Sequence, residues 1–297
     1  MSRGNPTTVV EVVHFTDPAC PWAYSAGPAH AVLRWRFGDQ LDWRLVTIGL
    51  AERAEDYVAR GYDPRASAVG RLNFRRYGMP LAAQARSRLM GTSRGCRAVV
   101  ATRLRHPGRE LAALRALQFA WFTTDALMDD DGEVLAALRG VEGIDPEAVV
   151  AALDSPEVSD AYEADRGEAR TAEGSPTEAQ WRAAATDGPV RYTAPSLQFR
   201  LGERCLEAGG FQPIEAYDVC LANLEPGLAR REPASSAAEV VAAFPDGLTT
   251  QEVAAIMAPH LAPVDRAASE RSLVEAQADG AVTRTPLGDD ALWRPTR

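Results

Sequence analysis

The chain begins, after a short polar start, with an apolar run that gives way to helical spacing. Residues 9–15, VVEVVHF, are mostly β-branched and apolar, which predicts a buried strand. The next run, PWAYSAGPAHAVLRWRF, places apolar residues at helical spacing with Pro21 in a tolerated first-turn position. The run LDWRLVTIGL then has the composition of a second strand. Residues 9–50 therefore predict a βαβ unit.

The pattern changes between about Pro64 and Thr186, where segments rich in Ala, Leu, Arg and Glu keep a helical period. Asp145 and Ser155 each precede a Pro-Glu pair, which is a typical helix start with a capping residue before proline. This stretch predicts an all-helical insertion, and we place its bounds at residues 63–186.

β-Structure is predicted again after the insertion. The runs SLQFRL and RCLEA flank Gly202 and Glu203, an arrangement typical of a hairpin, and FQPIEAYDVCLANL has the pattern of a helix packing on that hairpin. Residues 9–62 and 187–230 are therefore predicted to form one core in the order βαβ-ββα. The fold class that follows is α/β.

Residues 246–297 have a pattern of their own, with two helices followed by a short hairpin, AVTRTPLGDDALWR. This order resembles the latter part of a winged-helix unit. The segment carries 5 arginines and 8 acidic residues, and its net charge of -3 disfavours a DNA reader. We predict a winged-helix-like unit that docks a protein partner or a second copy of the chain.

Composition excludes several classes of function. The net charge of -9 over 297 residues argues against general binding to nucleic acid or to anionic membranes. No apolar run approaches the roughly 18 residues of a membrane span, and the start of the chain lacks the features of an export signal. We therefore expect a cytoplasmic protein. The four cysteines have no metal-binding spacing, so neither a metal site nor a disulfide framework is expected.

One cysteine has a distinctive position. In FTDPACPWAYS, Cys20 lies between the first strand and the first helix, where unpaired backbone N–H groups and the helix dipole favour a thiolate. We expect an unusually acidic, nucleophilic Cys20, with Pro21 holding the first turn and Trp22 forming an apolar wall. An inert core cysteine is the alternative. For His14, in the preceding strand, a hydrogen-bonded core histidine is favoured over a role in tuning Cys20.

The motifs TDPACPW (residues 16–22) and TAPSLQF (residues 193–199) resemble those of the DsbA-like branch of the thioredoxin superfamily, over roughly residues 9–225. That branch includes FrnE-type oxidoreductases, 2-hydroxychromene-2-carboxylate isomerases and kappa-class glutathione transferases. The resemblance implies a thioredoxin-like fold in which a cis-proline loop lies beside the cysteine. The catalytic residues it implies are Cys20, Pro21, Trp22 and Pro195, and the substrate-binding residues are Thr193, Ala194 and Tyr24.

Dithiol enzymes of this kind carry a second, resolving cysteine at the position that is Ala23 here. A single-cysteine oxidoreductase would need a low-molecular-weight thiol, such as mycothiol or glutathione, to resolve a mixed disulfide with a small-molecule or protein substrate. No tightly bound cofactor is expected. Two alternatives stay open: a glutathione-transferase-like or isomerase-like enzyme that binds a thiol cofactor, and a non-catalytic adaptor that binds a partner through the C-terminal unit.

Overall fold

The structure is a computed structural model that describes residues 9–82, 84–186 and 188–296. The strands of the described residues are β1 Val10–Thr16, β2 Leu41–Thr47, β3 Ala183–Ala184, β4 Arg191–Tyr192, β5 Ser196–Leu201, β6 Arg204–Ala208, β7 Leu248–Thr249, β8 Val282–Leu287 and β9 Asp290–Pro295. The α-helices are α1 Pro21–Ser25, α2 Gly27–Phe37, α3 Ala54–Ala59, α4 Pro64–Leu72, α5 Ser93–Arg105, α6 Glu110–Thr123, α7 Asp131–Leu138, α8 Pro146–Ala151, α9 Pro156–Ala169, α10 Pro176–Ala179, α11 Ile214–Leu224, α12 Ala237–Ala242, α13 Thr250–Met257 and α14 Arg266–Ala278.

The central sheet has the strand order β2-β1-β5-β6. β1 is parallel to β2 and antiparallel to β5, and β5 and β6 form a hairpin. The hairpin turns at Gly202, whose φ of 59° lies in the left-handed region that glycine adopts without strain. The predicted α/β class and βαβ-ββα core with a helical insertion are therefore confirmed.

β1 is buried on both sides, and its residues alternate between two cores. Val10 and Val12 pack with apolar side chains of α2 and α11, including Leu33 and Tyr217. The neighbouring residues Val13 and Phe15 belong to a different cluster, whose other members include Tyr192 and Ala194. This alternation follows from the strand period of two, and it gives each face of β1 a separate environment.

The helices from α3 to α10 lie between β2 and the β4–β5 segment, and most of their apolar side chains form one core with α5 and α6 at its centre. Asp145 caps α8 by accepting a hydrogen bond from the Ala148 N–H, and Ser155 caps α9 in the same way. The side chains chosen from sequence as helix caps therefore do cap helices.

The C-terminal unit contains α12, β7, α13, α14 and the β8–β9 hairpin, with the three strands in the order β7-β9-β8. Its core is shared with the thioredoxin-like part, because Val253 and the buried Trp293 cluster with Ala31 and Trp35 of α2. The winged-helix interpretation of residues 246–297 stays a prediction. Within the described ranges, no helix combines the length and apolar character needed to cross a membrane.

Candidate functional site

Cys20 is the N-cap residue of α1, where the chain leaves β1 and turns into the helix. Its backbone is extended (φ -77°, ψ 115°), and Pro21 occupies the first helical turn. The thiol-bearing residue is only 5% exposed. The sequence pattern of strand, cysteine and helix is thus present, with the cysteine buried at the junction.

The loop before β5 lies against this cysteine. The Cys20 Sγ donates a hydrogen bond to the Ala194 carbonyl oxygen at 3.1 Å, across 174 residues of sequence. The Ala194–Pro195 peptide bond is cis. Thr193, the residue before, donates its hydroxyl to the Arg182 carbonyl at 2.7 Å. The fold therefore brings together Cys20 and the loop that the resemblance placed beside it.

The pKa of Cys20 is raised to about 12, chiefly because the thiol is buried. The N–H groups of Ala23 and Trp22 lower it, as does the charge of Arg191, while Asp17 raises it further. The helix-start effect predicted from sequence is therefore present, but burial exceeds it. The prediction of an unusually acidic Cys20 is wrong: the folded chain holds a neutral thiol.

Asp17 is a fully buried carboxylate beneath the motif. It accepts hydrogen bonds from the N–H groups of Ala19 (2.8 Å) and Leu50 (2.9 Å) and from the Thr92 hydroxyl (2.9 Å). The Cys96 thiol donates to the same carboxylate at 3.4 Å. Burial raises the pKa of Asp17, and these donors lower it. The Cys96 thiol, the second one near the motif, is therefore hydrogen-bonded to Asp17. None of the four cysteines forms a disulfide in this structure.

Trp22 is 39% exposed and belongs to an aromatic cluster on the surface beside the motif. Its ring centroid lies 4.9 Å from that of Phe74, 5.7 Å from Tyr77 and 5.4 Å from Phe211. The apolar wall expected from Trp22 is therefore built by side chains from three parts of the chain. No local sequence pattern links residues 74, 77 and 211 to Trp22, so these three positions could not be chosen from the sequence.

Tyr24 does not join this site. It is 2% exposed, donates its hydroxyl to the Pro80 carbonyl at 2.8 Å and stacks on Phe122 at a centroid distance of 4.5 Å. Its side chain is therefore part of the insertion core, on the side of α1 away from Trp22. The reason is helical periodicity: residues 22 and 24 of one helix point in different directions.

Two residues near Cys20 had not been singled out from the sequence. Arg191 is 4% exposed and its positive charge lowers the pKa of Cys20. The pKa of Tyr57 is raised by burial first, and then by the nearby Asp17 and Cys20. Arg191 lies only two residues before Thr193, so a charged residue inside an apolar stretch was the available signal. Tyr57 carried none. In the described parts of the chain, no cluster of three metal-ligating side chains occurs.

Comparisons with solved structures agree with this architecture. A protein from Nitrosomonas europaea assigned as a disulfide isomerase matches with a TM-score of 0.55 and 18% identity, over 72% of this chain and 97% of its own. One from Streptomyces coelicolor assigned as a DsbA oxidoreductase matches with a TM-score of 0.54 and 23% identity, over 76% and 93%. The chain has a DsbA-like thioredoxin fold.

A third structure, the cytosolic disulfide reductase DsbM of Pseudomonas aeruginosa, has a TM-score of 0.49 and 18% identity over 73% of this chain and 98% of its own. No family model matches the sequence, and no curated protein does so. At these identities the DsbA-like similarity shows the fold alone. The chemistry has to be argued from the residues of the site.

Proposed function

We propose that this DsbA-like protein is a thiol-dependent oxidoreductase that forms a mixed disulfide at Cys20. The observation that supports it most is the 3.1 Å contact between the Cys20 Sγ and the Ala194 carbonyl. A backbone carbonyl directly beside the sulfur gives an extended thiol or peptide a pairing partner at the reacting atom. Trp22 and its aromatic neighbours supply an apolar surface for the rest of the substrate.

The proposed reaction consists of thiol–disulfide exchanges. The Cys20 thiol loses its proton and attacks a disulfide R–S–S–R′, which forms Cys20–S–S–R and releases R′–S⁻, and the leaving thiolate takes up a proton. A low-molecular-weight thiol G–SH then releases R–SH and leaves Cys20–S–S–G. A second G–SH regenerates Cys20 and yields G–S–S–G. Two small thiols are thus oxidised for each substrate disulfide reduced.

The small thiol is required because the chain offers no resolving partner in the motif. Ala23 is 3% exposed and has no sulfur, and Cys96 donates to Asp17. We propose mycothiol or glutathione in this role and, since both are intracellular thiols, a cytoplasmic location. Because burial raises the pKa of Cys20, the thiol has to lose its proton before it can attack a disulfide.

The test combines trapping with turnover. The reduced protein is incubated with glutathione disulfide, and the modified peptide is located by mass spectrometry. Glutathione-dependent reduction of a small disulfide is then measured. We expect a mixed disulfide on Cys20 and a loss of turnover of at least about 100-fold in Cys20→Ser. The control is Cys205→Ser, because Cys205 is exposed and distant from the motif in sequence.

Turnover that survives in Cys20→Ser would instead support the glutathione-transferase-like or isomerase-like alternative, in which the site binds a thiol cofactor. A further variant tests the missing step. Ala23→Cys should release the second substrate thiol, R–SH, in a single turnover without any added small thiol, because the new thiol can attack the Cys20–S–S–R disulfide and form a disulfide between positions 20 and 23. Continued dependence on glutathione in that variant would contradict the role assigned to position 23.

A non-catalytic adaptor is the second candidate, and the burial of Cys20 favours it. In this case the neutral, 5% exposed thiol is a core residue and the C-terminal unit, proposed as winged-helix-like, binds a partner or a second copy of the chain. No mixed disulfide would then form on folded protein under any thiol condition. Labelling of Cys20 only after unfolding would decide for the adaptor.

A further inference from the structure

A cavity of about 790 Å³ lies among the C-terminal half of α2, the helix α6 and the C-terminal unit. Its lining includes none of the residues assigned to the Cys20 site. Six arginines line it, together with apolar side chains that include Phe37 and Phe244. The cavity therefore combines cationic and apolar walls at the junction of three parts of the fold.

Five of the six arginines have carboxylate partners in the protein. The pairs are Arg36 and Arg230 with Asp218, Arg109 with Asp246, Arg115 with Glu252 and Arg231 with Glu239. The exception is Arg34, which makes no ion pair or hydrogen bond among the described residues, and its buried Nε has no acceptor. Arg34 is partly buried, so it is the lining arginine whose hydrogen-bonding capacity the described residues leave unused.

The position of Arg34 is defined by packing. Its guanidinium carbon lies 5.7 Å from the centroid of the Phe244 ring, within cation–π distance. Burial lowers the pKa of Arg34 to about 10, with Arg115 as the next cause, so the group is still cationic at neutral pH. Glu252 and Asp246 are near enough to raise this pKa, but each forms its ion pair with another arginine, so the cavity presents one guanidinium without a direct carboxylate partner.

Trp43 also lines the cavity, and its indole N–H is buried away from the open space. The indole Nε1 of Trp43 is buried without an acceptor. Behind it lie His14 and His30, which are 3% and 7% exposed, with ring centroids 6.3 Å and 5.8 Å from that of Trp43. Both ring nitrogens of His14 and the Nε2 of His30 lack partners. The expectation that His14 is a core histidine is therefore confirmed, but the expectation that its ring nitrogens are hydrogen-bonded is wrong.

We propose that this cavity is a binding site for a small organic oxyanion, with the anionic head on the guanidinium of Arg34. A guanidinium is a donor only, so the group that satisfies it must be an acceptor. Carboxylate and phosphate match the guanidinium fork, and their bonds to it are charge-assisted. The apolar part of the ligand would pack on the aromatic wall.

The charges also limit the ligand. The lining arginines exceed the carboxylates among the lining and partner residues, Asp39, Asp218, Asp246, Glu239 and Glu252, by one. One surplus cation fits a single anionic head better than a polyanion. The volume lies within the usual range of about 300–1,000 Å³ for small-molecule sites. We therefore assign the site to a compact phosphomonoester or carboxylate with an apolar or aromatic body.

The test is titration calorimetry on the full chain with phenyl phosphate, benzoate and neutral benzyl alcohol. We expect saturable binding of at least one anion, whose identity reveals the preferred head, and no binding of the alcohol. Arg34→Gln should weaken the binding at least about tenfold, because it removes the charge that the anion contacts. The exposed Arg139, which has its own carboxylate neighbour, provides the control Arg139→Gln, for which no change is expected.

Three results would overturn the proposal: no saturable binding of either anion at millimolar concentration, equal binding of benzyl alcohol, or unchanged affinity in the Arg34 variant. If Arg34→Gln does not fold, as judged by near-ultraviolet circular dichroism, Arg34→Lys decides. That variant keeps the charge and removes the planar fork, so it should still weaken the binding of the anion. The calorimetric measurement does not depend on any redox activity of Cys20.

Discussion

The Cys20 site and the Arg34 cavity lie on different faces of the β1 region, and they handle buried polar groups in opposite ways. At the motif, the Cys20 thiol has a carbonyl acceptor and Asp17 accepts from two N–H groups and a hydroxyl. At the cavity, Arg34 and Trp43 have buried donors without acceptors. The Cys20 thiol and the Asp17 carboxylate are thus paired within the protein, whereas the Arg34 guanidinium has hydrogen-bonding capacity that the described residues do not use.

The contrast shows that burial alone does not identify a functional site. Burial keeps Cys20 neutral, because a buried thiol can retain its proton and donate a hydrogen bond to the Ala194 carbonyl. It cannot neutralise Arg34 in the same way, because a guanidinium stays protonated at neutral pH. A carboxylate or an external anion has to balance that charge. Three measurements test this comparison.

The largest effect is expected from two matched substitutions in the cavity wall. Arg115→Met leaves Glu252, which is fully buried, without its 2.5 Å partner, and should cost about 3–5 kcal/mol in the free energy of unfolding. Arg34→Met removes a cation that has no partner and should cost less than about 1 kcal/mol. Urea unfolding of both variants measures the difference. Similar losses of unfolding free energy in the two variants would show that carboxylates of the protein balance the charge of Arg34.

The next largest effect is expected in the rate at which Cys20 is alkylated at different pH values. Because its pKa is raised to about 12, its alkylation rate should increase about tenfold for each unit between pH 7 and about pH 10 without a plateau. Iodoacetamide labelling with peptide mass analysis gives the profile, and Cys20→Ser provides the background. A plateau near neutral pH would mean that the thiol is acidic in solution and that the site opens readily.

The smallest effect concerns the neutral histidines behind the cavity. Burial lowers the pKa of His14 to about 3, with Arg34 as the second cause. Below the unfolded value of about 6.5, the unfolded chain binds a proton that the folded chain does not, so stability falls as pH falls from about 6.5 towards 3. His14 should contribute about 2 kcal/mol of this loss between pH 7 and pH 5.

His14→Phe should reduce that loss, and unfolding titrations at the two pH values measure it. The exposed His260 supplies the control, since His260→Gln should leave the pH dependence unchanged. An equal dependence in wild type and His14→Phe would mean that His14 is protonated in the folded chain.

Local pattern was sufficient for most of the fold. The runs before and after the insertion predicted β1, α2, β2, β5, β6 and α11, and the capping residues Asp145 and Ser155 predicted two helix starts. The resemblance placed Cys20 beside the Ala194–Pro195 loop. The resemblance also placed Tyr24 among the substrate contacts, whereas helical geometry turns it into the insertion core.

The sequence by itself determined where strands and helices form, because hydrophobic period and capping are properties of neighbouring residues. Only the tertiary structure decided the protonation of Cys20 and the environments of Arg34 and His14. Those depend on desolvation and on partners that are distant in sequence, such as Ala194 for Cys20 and Phe244 for Arg34. The same residue types would have different pKa values and binding capacity in another packing arrangement.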